Sequence, residues 1–275
     1  MGWDKVDGPV LLIGCGKMGG AMLGGWLEGG LAREQAIVIE PAPAALEACH
    51  GRDGLRILSS IGALEDALRP AVVVFAVKPQ ETERVLAECR RFVGPDTVFL
   101  SIIAGKRIAL FEEKLGPAAI VRAMPNTPAA IGQGMTVACA NASVTGPQRA
   151  LCQALLEAVG DMDWVEDEAL LDAVTAVSGS GPAYVFLFAE CLAQAGIKAG
   201  LPVPLAWRLA RATLSGSGAL LQRSDDAPDV LRQNVTSPGG TTEAALDVLM
   251  AAGGLQALLD RAVAAATARS RDLGG

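Results

Sequence analysis

Residues 10–19 read VLLIGCGKMG, and how these residues are taken decides the fold. Four apolar residues in a row, without polar alternation, describe a strand covered on both faces. Gly14, Gly16 and Gly19 follow at the G-x-G-x-x-G spacing, and a helix is predicted from about Met18. The three glycines differ in purpose. Gly14 permits a tight turn, Gly16 lets the backbone approach a pyrophosphate, and Gly19 lets the helix pack closely. Lys17 and Met18 stand at the helix mouth, where N–H groups and the positive end of the dipole attract phosphate. The expectation is a dinucleotide site.

The same pattern recurs downstream in AIVIEP (36–41), VVVFAVKP (72–79), TVFLSIIAG (97–105) and AIVRAMP (119–125), with amphipathic stretches between. Such alternation means βαβ units and a parallel sheet. MTVACA (135–140) and MDWVED (162–167) extend it, around a helix opened by Thr145 and Pro147 and closed by Gly160. After Asp167 the strand signal disappears. Breaks at SGSGP (178–182), GLPVP (200–204), SDDAP (224–228), TSPGG (236–240) and AAGG (251–254) divide the remainder into about six helices. The fold class is therefore α/β: an N-terminal Rossmann-type, doubly wound, mainly parallel sheet over residues 1–167, then an all-helical domain over residues 168–275. A helical domain this poor in aromatics is expected to complete its core with a second chain.

With 275 residues and 51% hydrophobic content, the chain has ample material for a large core. A net charge of −7 and no basic run argue against nucleic acid or an anionic membrane surface, and leave a small molecule as the partner. Six cysteines without a C-x-x-C pair, and a single histidine, His50, read as a surface residue, speak against a metal site or a disulfide framework. The first residues lack the basic start of a signal peptide, and charges or glycines interrupt every apolar run short of the roughly 18 residues of a membrane span. A cytoplasmic protein is expected.

Ligands of a parallel sheet lie at the carboxyl ends of its strands, so the polar residues there matter most. Glu40 closes the second strand about twenty residues past the glycines, where an acid takes both ribose hydroxyls and repels a 2′-phosphate. NADH is favoured over NADPH, although an exposed strand-end charge is the plainer reading of Glu40. Lys78 in AVKPQ, residues 101–105 (SIIAG), and Asn126 with Thr127 in RAMPNTPA are the further candidates. Pro79 and Pro125 stop their strands abruptly, as ligand-lining loops require and as ordinary turns also do.

Taken together, GCGKMG, AVKPQ, SIIAG, RAMPNTPA, AVSGSGPAYVFLFAE and VTSPGGTTEA resemble the pyrroline-5-carboxylate reductases nearly end to end. The resemblance implies reduction of the cyclic imine L-1-pyrroline-5-carboxylate to L-proline by NADH or NADPH, the last step of proline biosynthesis. It implies a cofactor pocket that includes Val77, Lys78, Ala104 and Asn234, and a substrate site with Glu168, Thr241 and Thr242. It also suggests a homodimer through the C-terminal helices, with rings of dimers as a larger option. Relatives that use NADPH commonly carry Ser or Arg after the second strand and an Asn before the helix leading to AVKP. This chain has IEPAPAA and SSIGALE instead, which strengthens the NADH reading.

Such an enzyme must hold an anion and orient a C=N bond, and a protonated iminium needs no strong acid. In TSPGGTT, Ser237, Gly239 and Gly240 precede a helix starting near Thr241, so the turn and the helix mouth form a cradle for the carboxylate. Thr242 is the expected catalytic residue, reaching the ring nitrogen. The competing reading has Thr241 merely capping the helix, with Glu243 favoured by the dipole. SGSGP is assigned to close packing of the two domains. Rival functions are a β-hydroxyacid dehydrogenase, whose helix lysine is missing from SGSGPAYVFLFAECLAQ, another imine reductase, and a nucleotide sensor without catalysis.

Overall fold

The computed structural model describes residues 8–42 and 54–274. His50, Cys49 and the stretch 43–45 of IEPAPAA lie outside the described residues. Strands β1 (Val10–Ile13), β2 (Ala36–Ile39), β3 (Arg56–Leu58), β4 (Val72–Phe75), β5 (Val98–Ser101), β6 (Ala119–Met124), β7 (Gly134–Ala140) and β8 (Gly160–Trp164) form one sheet in the order β3-β2-β1-β4-β5-β6-β7-β8. Neighbours are parallel except β6 and β7, which pair antiparallel. The sheet is thus doubly wound and mainly parallel, with a reversed pair towards one edge.

Alternate residues of each strand feed two cores, as continuous apolar strands require. On one face Val10, Leu12 and Val74 pack under α1 (Lys17–Glu28), whose buried Trp26 donates its indole N–H to the Leu155 carbonyl at 2.8 Å. On the other face Leu11, Ile13 and Phe75 pack with Phe99, stacked on Phe75 at 6.0 Å, and with Phe111, under α2 (Thr82–Cys89) and α3 (Ile108–Leu115). Each such side chain contributes about 1.5–3 kcal/mol on full burial. Helix α4 (Gly146–Glu157) begins where Thr145 announced it: Thr145 and Gln148 exchange the two bonds of a capping box. Strand β3 was not legible, being three half-buried residues with an arginine at its head.

Beyond β8 run α5 (Leu170–Val174), a π turn (Thr175–Gly179), α6 (Gly181–Lys198), α7 (Val203–Arg223), α8 (Pro228–Asn234), α9 (Thr241–Leu249) and α10 (Leu255–Gly274). The chain divides into two compact units: one reaches Gly179 and takes in Thr267–Gly275, the other is Ser180–Ala266. The first unit continues past the sequence boundary at Asp167 because Leu171 of α5 is buried in the sheet's core and Gly179 sits against the Met124 side chain. In the second unit α6 and α7 form a hairpin, with Ala193, Ala206 and Ala210 buried. Phe186, Leu187 and Leu220 are all more than half exposed there. Among the described residues one helical run, Leu170–Lys198, is by length and composition apolar enough to cross a membrane, with a mean hydropathy of 1.3, although Asp172, Gly179, Gly181 and Glu190 interrupt it.

Candidate functional site

At the carboxyl ends of β1, β2 and β4 lies a cavity of about 380 Å³, lined by Gly14, Gly16, Glu40, Val77, Lys78 and Ser60 among others. The three glycines divide their labour as their spacing implied. Gly14 has φ +92°, donates its N–H to the Ile39 carbonyl, and a β-carbon there would stand 2.6 Å from the Ala76 oxygen. Gly19 faces the Gly14 carbonyl so closely that a β-carbon would strike it. Gly16 is different: it is exposed, and a β-carbon would meet nothing within 4 Å. The crowding at 14 and 19 is internal; the space over Gly16 is left for a ligand. Gly16 is also the N-cap of α1 without a side-chain capping bond, so the helix mouth keeps its donors.

Glu40 is buried rather than a loose strand-end charge. One carboxylate oxygen accepts from Cys15 N–H at 2.7 Å and the other from Ala42 N–H at 2.9 Å. It therefore braces the glycine loop from the neighbouring strand while placing a negative charge in the cleft. Lys78 is exposed at the head of a short 3-10 turn that Pro79 opens, and Ala104 is exposed on the turn after β5, next to Gly105 at φ +73°. Of the remaining expected cofactor residues, Met18 packs against the core, and Lys17 lines a separate hollow with Gly20 and Gly132. Asn126 spends its side chain on the scaffold: Oδ1 accepts from Met135 N–H at 2.9 Å and Nδ2 donates to Ser178 Oγ at 3.2 Å. Asn234 ends α8, exposed, in the helical unit.

Ser59, Ser60 and Arg84 also line the cleft, and the sequence reading missed them. Arg84 sits on α2 and pairs with Glu81 at 2.9 Å and Glu88 at 2.8 Å, a helical spacing visible in TERVLAEC. Burial pushes the thiols of Cys89 and Cys152 far up, so neither serves as a nucleophile at neutral pH.

Glu168 lies in the first unit, and its Oε1 accepts from Ile108 N–H at 2.9 Å and from buried Arg122 at 2.8 Å. An arginine in the middle of β6 needs such a partner. The structure thus uses Glu168 to hold Arg122 and the start of α3, a scaffolding role that the sequence did not suggest.

In the second unit, α9 starts at Thr241 with Gly240 as its N-cap and no side-chain capping bond. The reading of Thr241 as a cap is therefore set aside. The two glycine N–H groups are already used: Gly239 donates to Glu243 Oε2 at 2.6 Å, and Gly240 to the Ser237 carbonyl at 2.9 Å. Gly239 takes φ +68°, which turns the chain into the helix. The donors that remain for an anion are the N–H groups of Thr241, Thr242 and Glu243, at the positive end of the dipole. Half-buried Thr242 makes no hydrogen bond through its hydroxyl among the described residues. The uncapped N–H groups thus sit one step further along the chain than the glycines, in the first turn of α9.

Both halves match one group of known proteins. The chain is 40% identical over 266 residues to the pyrroline-5-carboxylate reductase of Pseudomonas aeruginosa, covering 96% of each, and 41% identical to that of Synechocystis, covering 96% of this chain and 97% of the other. The chain belongs to the pyrroline-5-carboxylate reductase family. The family's dimerisation model matches residues 168–273, and a model described as NADP oxidoreductase coenzyme F420-dependent matches residues 9–105. Among solved structures, the family member from Coxiella burnetii superposes with a TM-score of 0.89 at 33% identity, covering 98% of this chain and 99% of the other. The Plasmodium falciparum member, determined with NADP bound, gives 0.82 at 30% identity, covering 98% and 99%.

Proposed function

We propose that the chain is an NAD(P)H-dependent oxidoreductase acting on a C=N bond, reducing L-1-pyrroline-5-carboxylate to L-proline in proline biosynthesis. The observation that carries this is the uncapped first turn of α9, with free N–H donors and an unbonded Thr242 hydroxyl, in a chain alike over its whole length to reductases of this name. A dinucleotide fits the first unit, since Gly16 leaves open the space that a side chain would fill. Gly14, Gly16 and the mouth of α1 would hold the pyrophosphate, Glu40 the adenosine ribose, and Val77, Lys78 and Ala104 the remaining length. When bound, the reduced nicotinamide supplies the hydride. The chain's own residues do the rest: the N–H groups of Thr241 to Glu243 hold the carboxylate, and the Thr242 hydroxyl orients the ring nitrogen. Ser237, Gly239 and Gly240 shape that loop, and Asn234 precedes it.

NADH is the preferred reductant in this reading. Glu40 puts a carboxylate where a 2′-phosphate would go, and Arg84, a cation that lines the same cleft, is already held by two acids. We place the protein in the cytoplasm as a homodimer formed through its helical unit, whose exposed Phe186, Leu187 and Leu220 call for a cover; rings of such dimers would follow from further contacts. The deciding assay is oxidation of NADH by the purified protein with pyrroline-5-carboxylate, run beside NADPH and the six-membered analogue. Rapid turnover of the five-membered imine is expected. Tight NADH binding without turnover of either imine would instead make the chain a nucleotide sensor.

A further inference from the structure

Asp172, on α5, is 5% exposed and carries a carboxylate that burial would penalise without partners. Ser270, near the end of α10 and itself 5% exposed, donates its hydroxyl to Oδ1 at 2.7 Å, and the Arg107 guanidinium stands 3.8 Å from Oδ2. Three residues further on, Leu273 lies over Gly105: a β-carbon on Gly105 would be 3.0 Å from that of Leu273. The last turn of α10 therefore touches the segment after β5 at two points, Gly105 and, through Asp172, Arg107. Ala104 lies beside the first. The far end of the same segment is pinned independently, where Ile108 N–H is held by Glu168.

The turn at φ +73° carries an exposed Ala104, and the backbone bond that closes it, from Lys106 N–H to the Ile103 carbonyl, is long at 3.5 Å. Its position depends on what packs over it. We infer that the last turn of the C-terminal helix is a positioning element of the nucleotide site, with Ser270, Asp172 and Leu273 as positioning residues that set the Ala104 turn. This rests on the reading of Ala104 as part of the nucleotide pocket. The helix that supplies the latch has its residues up to Ala266 in the helical unit. The segment that meets the cofactor is thereby braced by the chain's far end.

The test compares Ser270→Ala and Leu273→Gly, which removes the β-carbon over Gly105, with the parent by three measurements: titration of NADH fluorescence without imine, KM for each substrate, and thermal unfolding. Leu273 is half exposed, so its variant folds even where loss of the buried hydroxyl is costly. The NADH Kd is expected to rise roughly five- to tenfold in Ser270→Ala, the scale of one lost charge-assisted contact, and in the same direction in the Leu273 variant, while the imine KM moves less than about twofold. A lowered Tm with parental NADH Kd in both variants would make the contact merely structural and overturn the inference. A shift confined to the imine KM would do the same. Ala104→Leu separates this from its premise: unchanged NADH affinity there removes the turn from the pocket, whereas a weakened Ala104→Leu beside normal Ser270 and Leu273 variants defeats the latch alone.

Discussion

At the scale of single residues, Glu40 serves two purposes with one carboxylate. Its oxygens brace Cys15 and Ala42, and it lines the cleft where the proposed reading puts the adenosine. Glu40→Ser removes both, so kcat/KM should fall with either nucleotide but further with NADH, narrowing the gap to NADPH. Glu40→Gln keeps an acceptor for the loop while removing the charge, and should narrow the gap at less cost. An unchanged ratio in both variants would take Glu40 out of nucleotide selection. Thr242 makes a cleaner case because its hydroxyl holds nothing among the described residues. Thr242→Ala should therefore cost little stability, within about 0.5 kcal/mol, yet lower kcat/KM for the imine roughly tenfold or more, as loss of a hydrogen bond to a charged group does. Thr242→Ser should retain most activity. Kinetics of the folded Ala variant matching the parent would show that the loop has been misread. Glu243 adds a condition that the sequence hid: its carboxylate occupies the Gly239 N–H beside the cradle. Glu243→Gln weakens that bond and removes a like charge, so the imine KM should fall a few-fold with the NADH KM unmoved.

At the scale of an element, the strand-turn-helix at the N-terminus predicts two different outcomes for the same chemical change. In Gly19→Ala the new methyl meets the Gly14 carbonyl, and overpacking of this kind costs about 1–3 kcal/mol, so both Tm and NADH affinity should drop. In Gly16→Ala the methyl meets only space, so Tm should hold while NADH affinity falls. Calorimetry and NADH titration read the pair; equal behaviour of the two would refute the assignment of Gly16 to the ligand side. The helix mouth at α9 works on the same principle of uncapped N–H groups, and there too the sequence signal was a pair of glycines. The difference is that Gly239 and Gly240 turn the chain and spend their own N–H groups inside the loop, so the donors offered outward belong to the following residues.

At the scale of the whole molecule, the helical unit leaves large apolar side chains uncovered along α6 and α7, and the family model over this region is one of dimerisation. Light scattering should report a dimer at micromolar concentration, and dilution should lower Tm because folding and association are linked. A stable monomer would leave Phe186 and Leu187 without an explanation.

Local pattern was enough to determine the α/β class, seven of the strands along the chain, the six helices after Asp167, the tight turn at Gly14 and the close packing at Gly19, because each depends on neighbours within a few residues. The motifs RAMPNTPA, SGSGPAY and TSPGGTT in order carried the family. What stayed hidden depends on residues far apart in the chain. Strand β3 exists only because β2 offers it an edge. The sequence offered Asn126 and Glu168 only as ligand residues; that Met135 and Ser178 also use the Asn126 amide, and that Arg122 pairs with Glu168, depends on contacts between distant positions. Ser270 carries no signal at all in an alanine-rich helix; its meaning comes from Asp172, 98 positions away, a buried carboxylate whose need for a partner only the tertiary structure reveals.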